Sequence, residues 1–157
     1  MEPSWLLLTM QTIALSEEGK IHTSPVFLLG IKNLVNELMN LGKSNLIKDK
    51  SYHFALKIIS LYRQMQEQKE YVLSKQLLRS GTSIGANVAE ATAAQSRKDF
   101  IAKMSISSKE ARETHYWLRL LRDSGLFKGI NFASVLSKCE ELIRILTSIV
   151  KTAQQND

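Results

Sequence analysis

The sequence predicts an all-α fold: an antiparallel up-down four-helix bundle over residues 45–157, preceded by a weakly structured extension over 1–44. Three observations carry this. Both prolines, Pro3 and Pro25, lie near the start and none follows, which helices tolerate and loop-rich β proteins rarely show. Four apolar periods of helical spacing succeed one another from residue 49 onward. The connections between them are short, and short connections make consecutive helices antiparallel neighbours. At 157 residues the chain is long enough for one domain with a real core, and 44% apolar content is ordinary for a globular protein.

The first 44 residues read differently from the rest. Their one helical stretch is 26–41, where Phe27, Leu28, Ile31, Leu34, Val35, Leu38 and Met39 recur at helix-like spacing. Gly42 is expected to close that stretch as a C-cap. Met39 opens the run MNLGKSN, a natural start for the compact domain, so residues 1–38 are expected to be an extension or a translated upstream region.

The first bundle helix is predicted over 49–68, with Ala55, Ile58, Ile59, Tyr62 and Met65 as its stripe and Phe54 and Leu61 widening it. Residues 66–69 form a polar junction. The second helix, 71–94, carries Leu73, Leu77, Ile84, Val88 and Ala91 around a run of small residues. Glycine costs about 1 kcal/mol inside a helix, so Gly81 and Gly85, four apart and on one face, point to close approach of another backbone. The competing reading is a loop at 80–85. Ser96, followed three residues later by Asp99, caps a third helix running to residue 123. Its inner stripe is Phe100, Ile101, Met104, Ser108, Ala111, His115, Leu118 and Leu121, and Ser124-Gly125 stops it. The fourth, 131–153, has the cleanest period: Phe132, Val135, Leu136, Cys139, Leu142, Ile143, Leu146, Ile149 and Val150.

The formal charge of +6 is unevenly placed. Lys20, Lys32 and Lys43 against Glu2, Glu17, Glu18 and Glu37 leave residues 1–44 at −1, so the remainder carries +7. A basic domain attracts polyanions such as RNA through phosphate neutralisation; a modest lysine excess also serves solubility alone. The apolar patch Trp5-Leu6-Leu7-Leu8 lacks the basic lead and the small-residue cleavage site of a secretory signal. No apolar run reaches the roughly 18–20 residues that cross a bilayer. A soluble protein without membrane association is expected, and the lone Cys139 agrees with a reducing, cytoplasmic setting.

Three stretches are more specific than amphipathicity. They are LSKQLLRSGTSIGANVAEA from Leu73, AQSRKDF from Ala94 and KEARETHYWLRLL from Lys109. Together they closely resemble the 23S rRNA intervening-sequence family of four-helix-bundle proteins, over residues 45–152. The resemblance implies a cytoplasmic bacterial protein, an antiparallel bundle and a ring-like homopentamer. A related branch comprises accessory proteins of diversity-generating retroelements, in which a basic pentamer partners a reverse transcriptase and engages nucleic acid.

No enzyme and no cofactor are expected. His22, His53 and His115 are too few and scattered for a metal site, and Glu90, Glu110 and Glu113 lack the Glu-x-x-His pairs of di-iron bundles. Gly81 to Gly85 lacks the following Lys-Ser/Thr of a P-loop. Cys139, inside an apolar stripe, reads as an inert thiol.

Two sets of polar residues remain. Arg79, Ser83, Asn87 and Glu90 share one face of the second helix, while Glu110, Glu113 and Trp117 progress along the third. These read as packing and assembly determinants, with Arg79 pairing to a glutamate of the third helix. For nucleic acid the candidates are Arg97, Lys98, Lys103, Lys109, Arg112, Arg119 and Arg122, with Lys69 and Lys75 adding to the patch. The alternative is solvated helix faces with pairs such as Lys109–Glu113 and Asp99–Lys103. Tyr116 and Trp117 offer faces on which bases stack; at helical spacing they also suit interface or core. The expected role is a homo-oligomer that binds structured RNA or an RNA–protein complex, the alternative a scaffold that docks a protein such as a reverse transcriptase.

Overall fold

The computed structural model describes residues 25–155, with side chains described at Pro25, residues 29–32, Gly42 and from Leu46 onward. Readings that fall on residues 1–24, on the side chains of the 26–41 stripe other than Ile31, or on His22 lie outside the described residues. Four helices are described: α1 (Pro25–Glu67), α2 (Leu73–Thr92), α3 (Arg97–Asp123) and α4 (Phe132–Gln155). The chain divides into two compact units at the junction between Leu41 and Gly42, and the bundle lies in the second.

Gly42 does not end a helix. Helix α1 runs through it from Pro25 to Glu67. One glycine costs about 1 kcal/mol against alanine, and the strong helix formers around it, Leu38, Met39, Leu41 and Lys43, offset that cost. Pro25, by contrast, opens the helix where a missing N–H does no harm.

The chain reverses at Gln68–Lys69, where Lys69 takes a left-handed φ of 62°. Glu70 then caps α2 with its side chain. Its carboxylate accepts from the backbone N–H groups of Val72 (2.9 Å), Leu73 (2.8 Å) and Ser74 (2.7 Å). These satisfy three of the orphan donors of a helix start. Partial burial pushes the Glu70 pKa up, but the three backbone donors outweigh it and hold the carboxyl below its ordinary value. At the next junction Ser96 Oγ accepts from Asp99 N at 3.1 Å, the expected cap of α3.

Antiparallel packing follows from the pairs. Gly81 and Gly85 of α2 face Ile58 and Ser51 of α1. The Thr114 and Ser80 hydroxyls lie 3.0 Å apart, and Ser107 Oγ donates to Ile84 O at 2.9 Å, across α2 and α3. Cys139 Sγ donates to Ala111 O at 3.3 Å across α3 and α4, and Lys50 reaches Glu141 at 2.7 Å to close α4 on α1. In the first two sets rising numbers on one helix meet falling numbers on the next, and Arg97 against Ala153 beside Ala111 against Cys139 gives the same sense for α3 and α4, so the four helices alternate up and down. One end is tied by the Gln68 amide, which donates to Lys128 O (3.2 Å) and accepts from Lys128 N (3.3 Å).

The core is one strip per helix. On α1 it is Ile47, Ser51, Phe54, Ile58, Leu61 and Met65, a seven-residue repeat. Ala55 and Tyr62 are half-buried and Ile59 is 41% exposed, so the expected stripe is rotated by about one residue. The apolar arc of this helix is broader than its buried strip, and period alone does not locate the centre of a broad arc. On α3 the buried set is Met104, Ser107, Ala111, Thr114, Leu118 and Leu121. Ser107 and Thr114 replace the expected Ser108 and His115, because a hydroxyl can be buried once it bonds a backbone carbonyl. On α2 (Leu77, Ile84, Val88, Ala91) and α4 (Phe132, Leu136, Cys139, Leu142, Leu146, Ile149) the expected positions are buried, while Leu73, Val135, Ile143 and Val150 flank the core. Helix α2 is unbroken from Leu73 to Thr92, so residues 80–85 are helix and not loop.

Candidate functional site

The glycine pair works by close approach. A Cβ at Gly81 would lie 2.7 and 2.8 Å from the γ carbons of Ile58, so α1 sits where only glycine leaves room. At Gly85 the nearest atom would be the Ser51 carbonyl oxygen at 3.4 Å, an ordinary contact.

On the other side of α2 the polar residues meet α3. The Arg79 guanidinium bonds Glu113 Oε1 and lies 3.8 Å from Glu110 Oε2. Trp117 Nε1 donates to the same Glu113 oxygen at 3.2 Å. Glu110 Oε2 is buried and accepts no hydrogen bond. Burial and the neighbouring Glu113 charge raise the Glu110 pKa, while Arg79 lowers it; the net direction is up. Asn87 turns back on its own helix, its Nδ2 donating to Ser83 O (2.9 Å) and Ser83 Oγ (3.1 Å). Glu90 binds the Lys103 ammonium, and that bond followed by the Glu90 charge raises the lysine's pKa. Charges on this flank are largely consumed within the chain.

The seven basic candidates are not gathered into one surface. Lys103 faces α2 and is paired. Lys98 and Lys109 are exposed on the outward side of α3, with Tyr116 two turns beyond Lys109. The other four lean toward α4: Arg97 donates to Ala153 O through Nε (3.2 Å) and Nη2 (2.8 Å), and Arg112 Nη2 reaches Thr147 Oγ1 at 3.3 Å. Arg119 and Arg122 line a groove of about 500 Å3 between α3 and α4 with His115, Ser137 and Glu140. His115 Nε2 lies 3.4 Å from Glu140 Oε1, and Arg122 also bonds Asp123.

The cations that sequence reasoning missed lie on the far side of α4. A second groove, of about 320 Å3, runs between α1 and α4. Lys50 and Lys57 border it from α1 and Lys138 from α4, with Phe54 and Leu142 as its apolar floor. Lys50 bonds Glu141, and Lys138 and Arg144 sit one turn to either side of that carboxylate. Two basic grooves therefore flank α4. The signal was present as Lys50 and Lys57 seven apart on one face of α1, but a single helix does not reveal which neighbour its flank will meet.

Among the described residues no group of three His, Cys, Asp or Glu side chains converges on a metal-sized site, and no helix is long and apolar enough to cross a membrane. Cys139 is fully buried, and burial followed by the Glu140 charge pushes its thiol up to about 12.

No curated protein matches the chain. Among solved structures it is similar to a crystal structure from Bacteroides thetaiotaomicron, described as a protein of unknown function from the S23 ribosomal protein family. The two are 51% identical with a TM-score of 0.66, over 69% of this chain and 98% of that one. A family model described as 23S rRNA-intervening sequence protein matches residues 43–148, the same stretch that holds the bundle, its glycine pair and its polar α2–α3 flank. The chain belongs to the 23S rRNA-intervening sequence protein family.

Proposed function

We propose that this protein is a non-enzymatic, cytoplasmic homo-oligomer that binds structured RNA, or an RNA–protein complex, through phosphate contacts. The observation that carries this reading is the cationic surface around α4. Arg119 and Arg122 on one side, Lys50, Lys57 and Lys138 on the other, and Arg144 one turn from Glu141 outnumber the neighbouring acids Asp123, Glu140 and Glu141. Such a surface neutralises phosphates and releases counterions without reading sequence. Repetition around a ring, the pentamer that the family resemblance implies, would add avidity to a weak single contact. The family's description names 23S rRNA, which agrees with an RNA partner.

The test is fluorescence anisotropy of a labelled RNA hairpin at about 50 and 200 mM salt, where phosphate-driven affinity falls steeply. Binding that weakens by orders of magnitude supports the reading; no binding at either salt removes it. Arg79→Ala, which unpairs Glu113 and Glu110, is expected to lower the oligomer mass in light scattering at unchanged helicity.

A second reading has its own observation. Tyr52, Leu56 and Ile59 leave an exposed apolar stripe at i, i+4, i+7 on α1, and Ile106, Tyr116 and Leu120 leave another on α3. Exposed stripes of this kind suit protein docking, so a scaffold that holds another chain, for example a reverse transcriptase, is the alternative. Salt-resistant retention of a protein partner with no RNA affinity would select it.

A further inference from the structure

The α1–α4 groove holds an unusual arrangement for an exposed surface. One carboxylate, Glu141, sits among Lys50, Lys138 and Arg144, with Lys57 two turns from Lys50 along the same wall. Seven residues of helix span about 10 Å, so Lys50 and Lys57 form one basic rail on α1, which Lys138 faces from α4. The floor between these lysines is apolar, made by Phe54 and Leu142. Asp49, the nearest acid in sequence on α1, lines the α1–α2 groove instead. Three lysines thus share the groove with a single carboxylate, and Arg144 adds its charge one turn along α4 from Glu141. The Lys50–Glu141 contact of 2.7 Å is made by side chains 34% and 41% exposed, open enough to exchange with an anion from solvent.

We infer that this groove seats a backbone phosphate of bound RNA, and that Glu141 is an internal competitor which the phosphate displaces from Lys50. The inference rests on the RNA reading above and adds to it a place and a mechanism. A backbone phosphate carries one charge on two non-bridging oxygens, as the carboxylate does, but it is not tethered to α4 and can lie between Lys50, Lys57 and Lys138 and engage lysines of both helices at once. While the groove is empty, Glu141 holds Lys50 toward α4. When a phosphate enters, Glu141 is left as a like charge beside it, which lowers affinity and shortens residence. The acid therefore makes binding weaker and more reversible than the lysines alone would allow.

This predicts a gain of function. Glu141→Gln should raise affinity for the hairpin about 2- to 5-fold at 50 mM salt, the range expected for one exposed charge pair. Glu67→Gln makes the same change in net charge at the exposed end of α1 and should leave affinity nearly unchanged. Lys138→Glu should weaken binding about 10-fold or more and lower the salt dependence by roughly one phosphate. Circular dichroism would verify that each variant keeps its helicity, which single exposed substitutions are not expected to alter. Equal gains from Glu141→Gln and Glu67→Gln would overturn the inference, since only overall charge would then matter. So would wild-type affinity in Lys138→Glu beside a loss in Arg119→Glu, which would move the phosphate to the α3–α4 groove and leave the RNA reading standing. Failure of the wild-type protein to bind the hairpin at either salt would remove both together.

Discussion

Helices α2 and α4 solve the same packing problem by opposite means. Helix α2 meets its neighbours through small residues: Gly81 against Ile58, Ser80 against Thr114, and the Ile84 carbonyl against Ser107. Its flank toward α3 is laced by Arg79–Glu113 and Glu90–Lys103. Helix α4 buries a strip of large side chains, Phe132, Leu136, Leu142, Leu146 and Ile149, and leaves cations along both flanks. Around α2, polar groups specify which surface meets which, and little charge is left over. Around α4, burial supplies adhesion and the bordering cations outnumber the acids. The difference shows how one bundle separates the side whose polar groups define its packing from the side where cations are in excess.

The largest expected effect lies on α4. Leu146→Ala removes a fully buried side chain and should cost about 2–5 kcal/mol through lost burial and the cavity left behind; chemical denaturation would measure it. A loss below about 1 kcal/mol would mean that α4 is not the adhesive helix. On α2 the threat is overpacking. Gly81→Ala should cost about 1–3 kcal/mol, since its Cβ would overlap Ile58, and trimming Ile58 to Val should recover part of the loss. Gly85→Ala, one turn away, should be neutral or gain up to about 1 kcal/mol from helix propensity. Equal effects at the two glycines would blur the contrast between them.

The next two predictions use pH. Glu70→Gln weakens the α2 cap and should cost about 1 kcal/mol at neutral pH. The Glu70 carboxyl lies below its ordinary value in the folded chain, so its contribution is full above that ordinary value and is lost as pH falls through the folded one. Wild type and variant should therefore converge in acid. Glu110 has the reverse sign. Its folded pKa is raised, so stability declines as pH climbs from the ordinary carboxylate value through the raised one. Glu110→Gln should abolish that decline and leave neutral stability equal or slightly higher. A steeper decline in the variant would show that the 3.8 Å approach of Arg79 outweighs burial.

Much of the bundle is legible in the sequence. The order of the helices, the Ser96 cap, the unbroken glycine-bearing α2 and the meeting of Arg79 with Glu113 all follow from spacing and residue type. The rest fails for identifiable reasons. Helix α1 runs through Gly42 because one glycine is too small a penalty among strong helix formers. The true strips of α1 and α3 include Ser51, Ser107 and Thr114, hydroxyl residues that count as polar in a periodicity but bury once they bond a carbonyl. The α2 cap was hidden because a glutamate before the helix, rather than a serine, threonine or asparagine, supplies it. The basic grooves were hidden for a geometric reason: a wheel drawn for one helix shows its flanks but not the neighbour that will border them. Reading α3 alone therefore collected seven cations that the fold sends in three directions.

Cys139 gives this molecule a built-in clock. Its thiol is fully buried, bonded to the Ala111 carbonyl and raised to about 12, so the thiolate that alkylating reagents require is scarce while the bundle is closed. As the only cysteine in the chain, it reacts without competition from another site. Its rate of modification thus counts the moments when α3 and α4 part. That rate can be followed as salt, oligomer concentration or RNA is varied, and slower labelling on adding RNA would register a ligand that tightens the closed bundle, with no fluorophore on the protein.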